Sequence, residues 1–414
     1  MAAGTARGSS DSGRRASPAT HVGLNLIFLV PGETGGMEVY ARELIPALLA
    51  QAPPGMRFTA FINREAASEG SGPWEELIAA VTVPVSARNR VQWVLGEQAL
   101  LPTLARRHGV DLMHSLASTA PLWGRFRRVV TVHDLIYARF PEAHSGLRDK
   151  GMRLLVPWSA RRADLVIADS HSTRNDLVEL LGIPAGQIDV VPLGIGTTQR
   201  ETALAERDVR ERFGLGERPV VLALSAKRPH KNLLSLIGAL ARIASEERPV
   251  LVLPGYPTAH EAEMRERARE LGVEEDIRFA AWVSTAELEG LWALARAFVF
   301  PSLYEGFGLP VLEAMARGVP VACSSASSLP EVAGDAALLF DPDDESAMAG
   351  ALRRILSDEG LRERLVSLGR AQAGRFSWAR TGRLTLESYA RVLGLEPRAG
   401  EPAPVGSPMD SPPA

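Results

Sequence analysis

The sequence has almost no cysteine, no long apolar run and almost no imbalance of charge. Its one cysteine, Cys323, excludes an intramolecular disulfide framework and fits a reducing cytoplasm. The longest clean apolar runs, such as LNLIFLV at residues 24–30, are far shorter than the roughly 20 residues that a membrane-spanning helix needs. Because 46 basic side chains stand against 49 acidic ones, the composition does not indicate a nucleic-acid partner.

Both ends of the sequence lack the features of a packed domain. Residues 1–20 have no apolar signal-peptide core, and residues 396–414 are rich in proline, glycine and serine. We therefore expect a disordered lead, a disordered tail and a cytoplasmic location. The 414 residues, 46% of them apolar, are enough for two domains with packed cores.

Between these ends, short apolar runs alternate with amphipathic stretches, which is the pattern of an α/β fold. The candidate strands are residues 23–30, 57–62, 111–116, 128–134, 165–170 and 188–194, then 218–226, 249–255, 276–283, 297–302, 319–325 and 336–342. This order predicts two doubly wound, Rossmann-like domains with parallel sheets, over residues 21–194 and 195–376. Ligands bind beyond the carboxyl ends of such strands, so two facing domains predict a deep cleft with a site in it.

The stretch YEGFGLPVLEAMARG, residues 304–318, places Glu305 and Glu313 on either side of a glycine-rich turn. Pro310 favours the first turn of a helix, so the stretch predicts a strand, a loop, a short helix and a further strand. Glu305 then lies in the loop at the mouth of the cleft, and Glu313 lies about one turn into the helix. Glutamates in this position also complement the helix dipole without any ligand, which is the structural alternative.

The loop between the glutamates suits a ligand with two chemically different ends. Gly306 and Gly308 allow the backbone to approach a ligand closely. The free N–H groups near Gly308 and Leu309, at the start of the helix, attract phosphate. We therefore predict a sugar at Glu305, a diphosphate at the helix start and a ribose at Glu313.

These residues resemble the E-x7-E signature of the retaining glycosyltransferases of family 4, which have the GT-B fold. The resemblance covers roughly residues 22–395, and it implies that a last helix, residues 377–395, crosses back to the first domain. It also implies transfer of a sugar from a nucleotide-diphosphate donor to a hydroxyl of an acceptor. The anomeric configuration is retained in that family, and neither a metal nor another cofactor is required.

Further motifs extend the resemblance to named site residues. PGETGGMEVYARELIPAL resembles the family's glycine loop, which implies that Gly35 and Gly36 approach the donor phosphates. TVHDLIYARFPE implies that His133 contacts the donor sugar near the reacting carbon, although a lone histidine is by default a buried residue bonded to its neighbours. SAKRPHKNL implies that Lys231 binds phosphate, and the E-G-F-G-L motif adds Phe307 to the donor-binding positions.

One position departs from the family pattern. An arginine usually lies five residues before the phosphate-binding lysine, and this sequence has Ala226 there. A diphosphate in a partly desolvated cleft needs cationic or N–H partners. Lys227 and Arg228 are the candidate replacements for that missing charge.

The donor and the acceptor are left open by the residues. The stretches SAKRPHKNL and VHDLIYARFPE favour a mannosyltransferase that uses GDP-mannose, with UDP-glucose or UDP-N-acetylglucosamine as alternatives. The expected acceptor is a glycan of polysaccharide biosynthesis or a lipid-linked glycan. The missing arginine also allows a non-catalytic nucleotide-sugar-binding protein, and a nucleotide-sugar epimerase is a third reading.

Two other segments have competing interpretations. FDPDDESA, residues 340–347, has the carboxylates of a metal-binding D-x-D motif, but helix capping by Asp343 or Asp344 explains it better. The basic stretch at residues 148–164 is either an ordinary helix with a solvated face or a weak peripheral contact with an anionic membrane.

Overall fold

The structure is a computed structural model that describes residues 20–69, 72–140, 147–196 and 202–395. Except for Thr20, the predicted disordered segments at residues 1–20 and 396–414 lie outside these ranges. Within these ranges, no helix has both the length and the apolar character needed to cross a bilayer.

Seven parallel strands form the first sheet, in the order β3-β2-β1-β4-β5-β6-β7. They are β1 (His21–Leu26), β2 (Arg57–Ile62), β3 (Ala79–Thr82), β4 (Leu112–Ser115), β5 (Arg127–Val132), β6 (Leu165–Ala168) and β7 (Ile188–Val190). The six strands predicted in this half are all present. The sequence analysis did not identify β3, a four-residue edge strand that is mostly exposed.

Six parallel strands form the second sheet, in the order β10-β9-β8-β11-β12-β13. They are β8 (Val220–Leu222), β9 (Val250–Pro254), β10 (Ile277–Ala280), β11 (Ala295–Phe300), β12 (Val321–Ser324) and β13 (Ala337–Phe340). Each sheet starts at an inner strand and winds outward in both directions. The winding therefore reverses between β1 and β4 in one sheet and between β8 and β11 in the other, and a crevice opens at each of these points.

Helices cover the sheets, as expected for buried parallel strands. They are α1 (Gly36–Gln51), α2 (Arg64–Glu69), α3 (Pro73–Glu76), α4 (Arg90–Leu95), α5 (Leu101–Arg107), α6 (Ile136–Arg139), α7 (Leu147–Arg162), α8 (His171–Leu181), α9 (Glu206–Phe213), α10 (Leu233–Ala241), α11 (His260–Glu270), α12 (Thr285–Leu294), α13 (Leu309–Ala316), α14 (Leu329–Ala333), α15 (Glu345–Ser357), α16 (Glu359–Ala373) and α17 (Trp378–Leu393). The doubly wound α/β fold class is confirmed.

The last helix, α17, packs against α1 and the first sheet. A Cβ on Gly382 would lie 2.8 Å from the carbonyl oxygen of Ala47, so the two helices approach closely at this glycine. The Tyr389 hydroxyl and Nδ1 of His114 are 2.6 Å apart in the buried interface. The domain boundaries at residues 194/195 and 376/377 stay a prediction.

The acidic stretch before α15 caps that helix. Oδ1 of Asp344 accepts hydrogen bonds from the backbone N–H groups of Ser346 at 2.8 Å and Ala347 at 2.9 Å. This geometry confirms the capping interpretation over the D-x-D alternative, because two backbone donors already occupy the carboxylate.

Candidate active site in the cleft between the sheets

Lys231 and Glu305 meet where the winding of the second sheet reverses. Lys231 follows β8 and Glu305 follows β11, and these neighbouring strands end side by side. Nζ of Lys231 donates a hydrogen bond to Oε1 of Glu305 over 2.6 Å, and the two side chains are 17% and 12% exposed. Two of the predicted site residues therefore form one ion pair that is shielded from most of the solvent.

The start of α13 has the features expected of a phosphate-binding turn. Gly308 has a φ of 107°, a conformation that favours glycine, and a Cβ there would lie 2.6 Å from Cδ2 of Leu329. Within the described residues, the N–H groups of Gly308 and Leu309 have no hydrogen-bond acceptor. The Phe307 ring is buried, with its centroid 5.8 Å from that of Phe376, so it supports the loop from within the core.

Glu313 borders a small cavity of about 60 Å³ between α13 and the first sheet's side of the cleft, together with Val39, Gly194 and Leu309. Its carboxylate makes no hydrogen bond or ion pair with any described residue, because Arg317 is engaged by Glu289 at 3.2 Å. Burial raises the pKa of Glu313, and the nearby carboxylate of Glu289 adds to this effect while Arg317 opposes it. A partly buried carboxylate without a partner is available to accept hydrogen bonds from a ligand.

The glycine loop lies at the carboxyl end of β1, on the other side of the cleft. Gly35 has a φ of 65° at the start of α1, and both Gly35 and Gly36 are exposed. A Cβ on either glycine would have no neighbour within 4 Å, so the loop leaves open space beside its backbone. Glu38 fixes the loop, because its carboxylate accepts hydrogen bonds from the Gly32 N–H and from Nε of Arg42, each over 2.8 Å.

The His133 ring is held on both sides by oxygen atoms. Nδ1 lies 2.7 Å from Oδ2 of Asp169, and Nε2 lies 2.9 Å from the carbonyl oxygen of Leu116. Burial alone would lower the pKa of His133, but the charge and hydrogen bond of Asp169 and the Leu116 carbonyl raise it overall. The side chain keeps 16% of its surface exposed, and Tyr40 packs edge-on against it at 4.9 Å.

The loop that carries Glu305 docks directly on the first sheet's loops. A Cβ on Gly306 would collide with the carbonyl oxygen of His133. The Gly306 carbonyl accepts hydrogen bonds from the hydroxyls of Ser170, over 2.6 Å, and Thr173, over 3.2 Å. Only a glycine permits this contact, which brings the two catalytic candidates Glu305 and His133 to the same place.

A tyrosine beside Glu305 fastens the same loop, and sequence reasoning did not identify it. The Tyr304 hydroxyl donates a hydrogen bond to Oδ2 of Asp176 over 2.7 Å and accepts one from the Leu135 N–H over 3.2 Å. Nε of Arg139 donates to the other oxygen of Asp176 over 3.0 Å. The only sequence signal for this contact was its acceptor, Asp176, a polar residue in the first turns of a helix that follows a predicted strand.

A second fastening between the two halves comes from α14. The Glu331 carboxylate accepts hydrogen bonds from the backbone N–H groups of His171, at 3.0 Å, and Ser172, at 3.1 Å. These N–H groups open α8, so a carboxylate from the second half caps a helix of the first. The cleft is therefore closed at this edge by charge-assisted contacts.

Lys227 and Arg228, the candidates for the missing positive charge, differ sharply in their surroundings. Lys227 is fully buried, and its Nζ donates to the carbonyl oxygens of Gly255 at 2.6 Å and Ala280 at 3.2 Å, with Glu261 at 3.5 Å. Arg228 is exposed, and its guanidinium has no partner among the described residues. Of the two, Arg228 alone offers an accessible charge in this conformation.

Family models match both halves of the chain. A model for "Glycosyltransferase Family 4" matches residues 34–199, and a model for "Glycosyl transferases group 1" matches residues 206–372. The O-antigen chain mannosyltransferase B of Escherichia coli is 36% identical over 267 residues, which cover 64% of this chain and 70% of that protein. The chain belongs to glycosyltransferase family 4.

Two further matches are more limited, one in its coverage of the relative and one in its sequence identity. The E. coli serotype-specific mannosyltransferase WbdA is 31% identical over 281 residues, but the match covers 65% of this family 4 chain and only 34% of WbdA. The crystal structure of Anabaena HepE in complex with UDP and glucose has a TM-score of 0.70 at 20% identity, over 90% of this chain and all of HepE. At that identity the structural match shows the GT-B fold alone.

Proposed function

We propose that this glycosyltransferase moves mannose from GDP-mannose to a hydroxyl of a glycan or lipid-linked glycan, with retention of configuration and without a metal. The observation that carries the proposal is the Lys231–Glu305 pair beside the start of α13, where the N–H groups of Gly308 and Leu309 have no acceptor among the described residues. The 36% identity to an O-antigen chain mannosyltransferase supports mannose as the sugar. UDP-glucose or UDP-N-acetylglucosamine is the alternative donor; a protein of the same fold was crystallised with UDP and glucose.

The proposed donor lies across the second sheet with its diphosphate at the start of α13. Lys231 and Arg228 would neutralise the leaving diphosphate, and Glu313 would accept hydrogen bonds from the ribose hydroxyls. When the donor binds, its phosphate competes with Glu305 for the Lys231 ammonium. Glu305 is then free to accept hydrogen bonds from the sugar.

Retention follows if the acceptor hydroxyl attacks from the side that the diphosphate leaves. A phosphate oxygen of the leaving group takes the acceptor proton, so no enzyme nucleophile is needed on the opposite face. The protein contributes position and fixed charge, which act best in a cleft that excludes water. The Gly306 contact supports this arrangement, since it holds Glu305 against the His133 segment.

Metal independence has a direct test. Cationic side chains and helix N–H groups perform the task that Mg²⁺ performs on diphosphates in other enzymes. We expect turnover to be unchanged in an excess of EDTA. Loss of turnover in EDTA that Mg²⁺ or Mn²⁺ restores would contradict the proposal.

The donor is best identified by thermal unfolding in the presence of GDP, UDP, ADP and their sugars. A ligand at 100 times its Kd stabilises a protein by about 2.7 kcal/mol, so the correct nucleotide should raise the Tm measurably. The selected sugar donor is then incubated with and without mannose-terminated oligosaccharides. Nucleotide release with a lengthened oligosaccharide supports the proposal, whereas binding without turnover indicates a non-catalytic binder and an altered free donor indicates an epimerase.

We also propose a weak contact of α7 with anionic lipid, near the inner face of the membrane. Leu154 and Trp158 are 57% and 50% exposed and line an open groove of about 450 Å³. From residue 151 to residue 162, α7 carries the exposed Arg153, Arg161 and Arg162 and no acidic residue. Exposed apolar side chains beside positive charge complement an anionic bilayer surface.

Vesicle flotation tests this contact. The chain should float with vesicles that contain phosphatidylglycerol and should bind less to pure phosphatidylcholine. Serine at both Leu154 and Trp158 should reduce flotation, whereas Leu368→Ser, at a leucine 39% exposed on α16, should not. Equal flotation of the double variant and wild type would assign the surface to solvent.

A further inference from the structure

We infer that Asp169 is a positioning residue that acts through His133, holding the ring so that both nitrogens donate to protein oxygens. The ring then meets the donor as a fixed imidazolium and has no nitrogen with which to accept the acceptor's proton. The inference deepens the proposed function and rests on it for what the positive charge of the His133 ring does in the reaction. Its structural content, a ring held by Asp169 on one side and Leu116 on the other, stands by itself.

Asp169 is placed for this task by the first sheet. It directly follows β6, and only 1% of its surface is exposed. Its Oδ2 lies 2.7 Å from Nδ1 of His133, and its Oδ1 has no hydrogen-bond partner among the described residues. A buried carboxylate with one free oxygen is costly unless a positive charge lies against it. Among the hydrogen-bonded partners of Asp169, His133 is the group that can carry this charge.

With Asp169 as a carboxylate, the two distances favour one protonation state of the His133 ring on geometric grounds. A neutral imidazole has one N–H and one nitrogen lone pair. With Oδ2 of Asp169 at 2.7 Å and the Leu116 carbonyl at 2.9 Å, either neutral tautomer points a lone pair at an oxygen atom. Only the imidazolium of His133 donates to both oxygens.

Among the described residues of the first half, the groups that contact the His133 ring or act on its charge add no competing positive charge. Asp134 in the same loop contributes a second carboxylate. Tyr40, on α1, packs its ring edge-on at 4.9 Å, and burial and the charge of Asp169 raise the pKa of its hydroxyl, so it stays neutral.

Burial, with a contribution from His133, lowers the pKa of His114 on β4 to about 3, so that ring is neutral as well. Behind these rings the Thr131 hydroxyl bonds both His114, at 2.8 Å, and Tyr40, at 3.1 Å.

The second half faces His133 through the loop that contains Gly306. The titratable neighbour of Gly306 in that loop is Glu305, whose charge is matched by Lys231 at 2.6 Å. Donor phosphate would draw Lys231 away from this pair. The imidazolium would then provide compensating positive charge close to Glu305 and the sugar.

The direction of the pH dependence follows from this assignment. Burial opposes the charged ring, but Asp169 and the Leu116 carbonyl outweigh it and raise the pKa of His133. If the imidazolium is needed, kcat is retained below that raised pKa and declines as the pH rises through it. A histidine that acted as a general base would give the opposite limb, with activity rising as the ring loses its proton.

Nuclear magnetic resonance of the histidine Cε1–H groups tests the inference without donor or turnover. The signal of His133 is assigned by its loss in His133→Gln, and the ring is titrated in wild type, Asp169→Asn and Asp134→Asn. We expect the midpoint of His133 to fall markedly in Asp169→Asn and only slightly in Asp134→Asn, the matched control. A midpoint unmoved by Asp169→Asn would overturn the inference even if the protein transfers sugar.

Kinetics then separate a positioning role from a structural one. Asp169→Asn should lower kcat about 10- to 100-fold, the effect of losing one charge-assisted hydrogen bond, and should shift the alkaline limb to lower pH. The loss should shrink when Asp169→Asn is added to His133→Gln, because the residue acts through the ring. Equal losses in both backgrounds, or rescue of activity at high pH, would refute it. Far-UV circular dichroism and Tm values confirm that each variant is folded, and Asp169→Glu, which keeps the charge, should recover part of the rate.

Discussion

Replacement of Glu313 by glutamine should change stability and donor binding in opposite directions. The carboxylate is partly buried, has no hydrogen bond or ion pair with a described residue, and borders the small cavity beside α13. In the free protein its charge is compensated only in part, by the nearby Arg317, which does not outweigh burial. In the complex it is expected to receive the hydrogen bonds of the two ribose hydroxyls.

The magnitudes follow from what each state gains or loses. Removing a partly buried charge that has no hydrogen-bonded partner among the described residues should stabilise the free protein by about 1 kcal/mol at neutral pH, a Tm increase of about 2–4 °C for a domain of this size. Hydrogen bonds to a charged group are worth about 1.5–3 kcal/mol, so the donor Kd should rise about 10- to 150-fold. The effect on kcat at saturating donor should be much smaller.

The pH dependence of stability tests the predicted sign of the stability change a second time. Burial raises the pKa of Glu313 in the folded state, so between its ordinary value and the raised value the folded protein binds more protons than the unfolded chain. Wild-type stability therefore falls as the pH rises through this window, and the destabilisation is complete above it. The advantage of Glu313→Gln should disappear at acidic pH.

Calorimetric titration with the selected nucleotide and thermal unfolding across pH measure both effects. Glu363→Gln, on the exposed face of α16, is the matched control and should change neither quantity. A Glu313→Gln variant that is less stable than wild type would show that the carboxylate has a structural partner. Unchanged donor affinity would show that Glu313 does not contact the ribose.

Four further substitutions test other parts of the site. Glu305→Gln should abolish transfer while the Tm changes little, as followed by nucleotide release, and wild-type turnover would exclude its role. Arg228→Met should raise the donor KM about tenfold or more with little effect on Tm. Lys227→Met should instead lower the Tm by several degrees, because the buried ammonium of Lys227 holds the ends of β9 and β10. The reverse pattern would exchange the roles of the two residues. Gly306→Ala should reduce kcat strongly with the fold intact, because its Cβ would collide with His133, and normal kcat would show that this contact is dispensable.

The sequence located the parts of the site that depend on chain order. In a parallel sheet the segments that follow β1, β5, β8 and β11 must emerge at one edge of their sheet. The glycine loop, His133, Lys231 and Glu305 could therefore be assigned to one cleft from their places after predicted strands. The fold class followed from the same alternation, and only the exposed edge strand β3 escaped it.

The sequence could not give the contacts that depend on side-chain direction. Lys227 and Arg228 are adjacent, yet one ammonium is buried against backbone carbonyls and the other cation is exposed. No periodicity distinguishes these two directions in an irregular loop. Asp169 is 36 residues from His133 and Asp176 is 128 residues from Tyr304 along the chain, so only the packed structure reveals these pairs.

The central claim is that a nucleoside diphosphate sugar binds between the two sheets, with its phosphates at the start of α13. A crystal structure of the chain with the nucleotide selected by thermal unfolding tests it most directly. We expect the diphosphate within hydrogen-bonding distance of Lys231 and of the N–H groups of Gly308 and Leu309, with the ribose on Glu313. A nucleotide bound outside this cleft, or a ribose that leaves Glu313 without a partner, would contradict it.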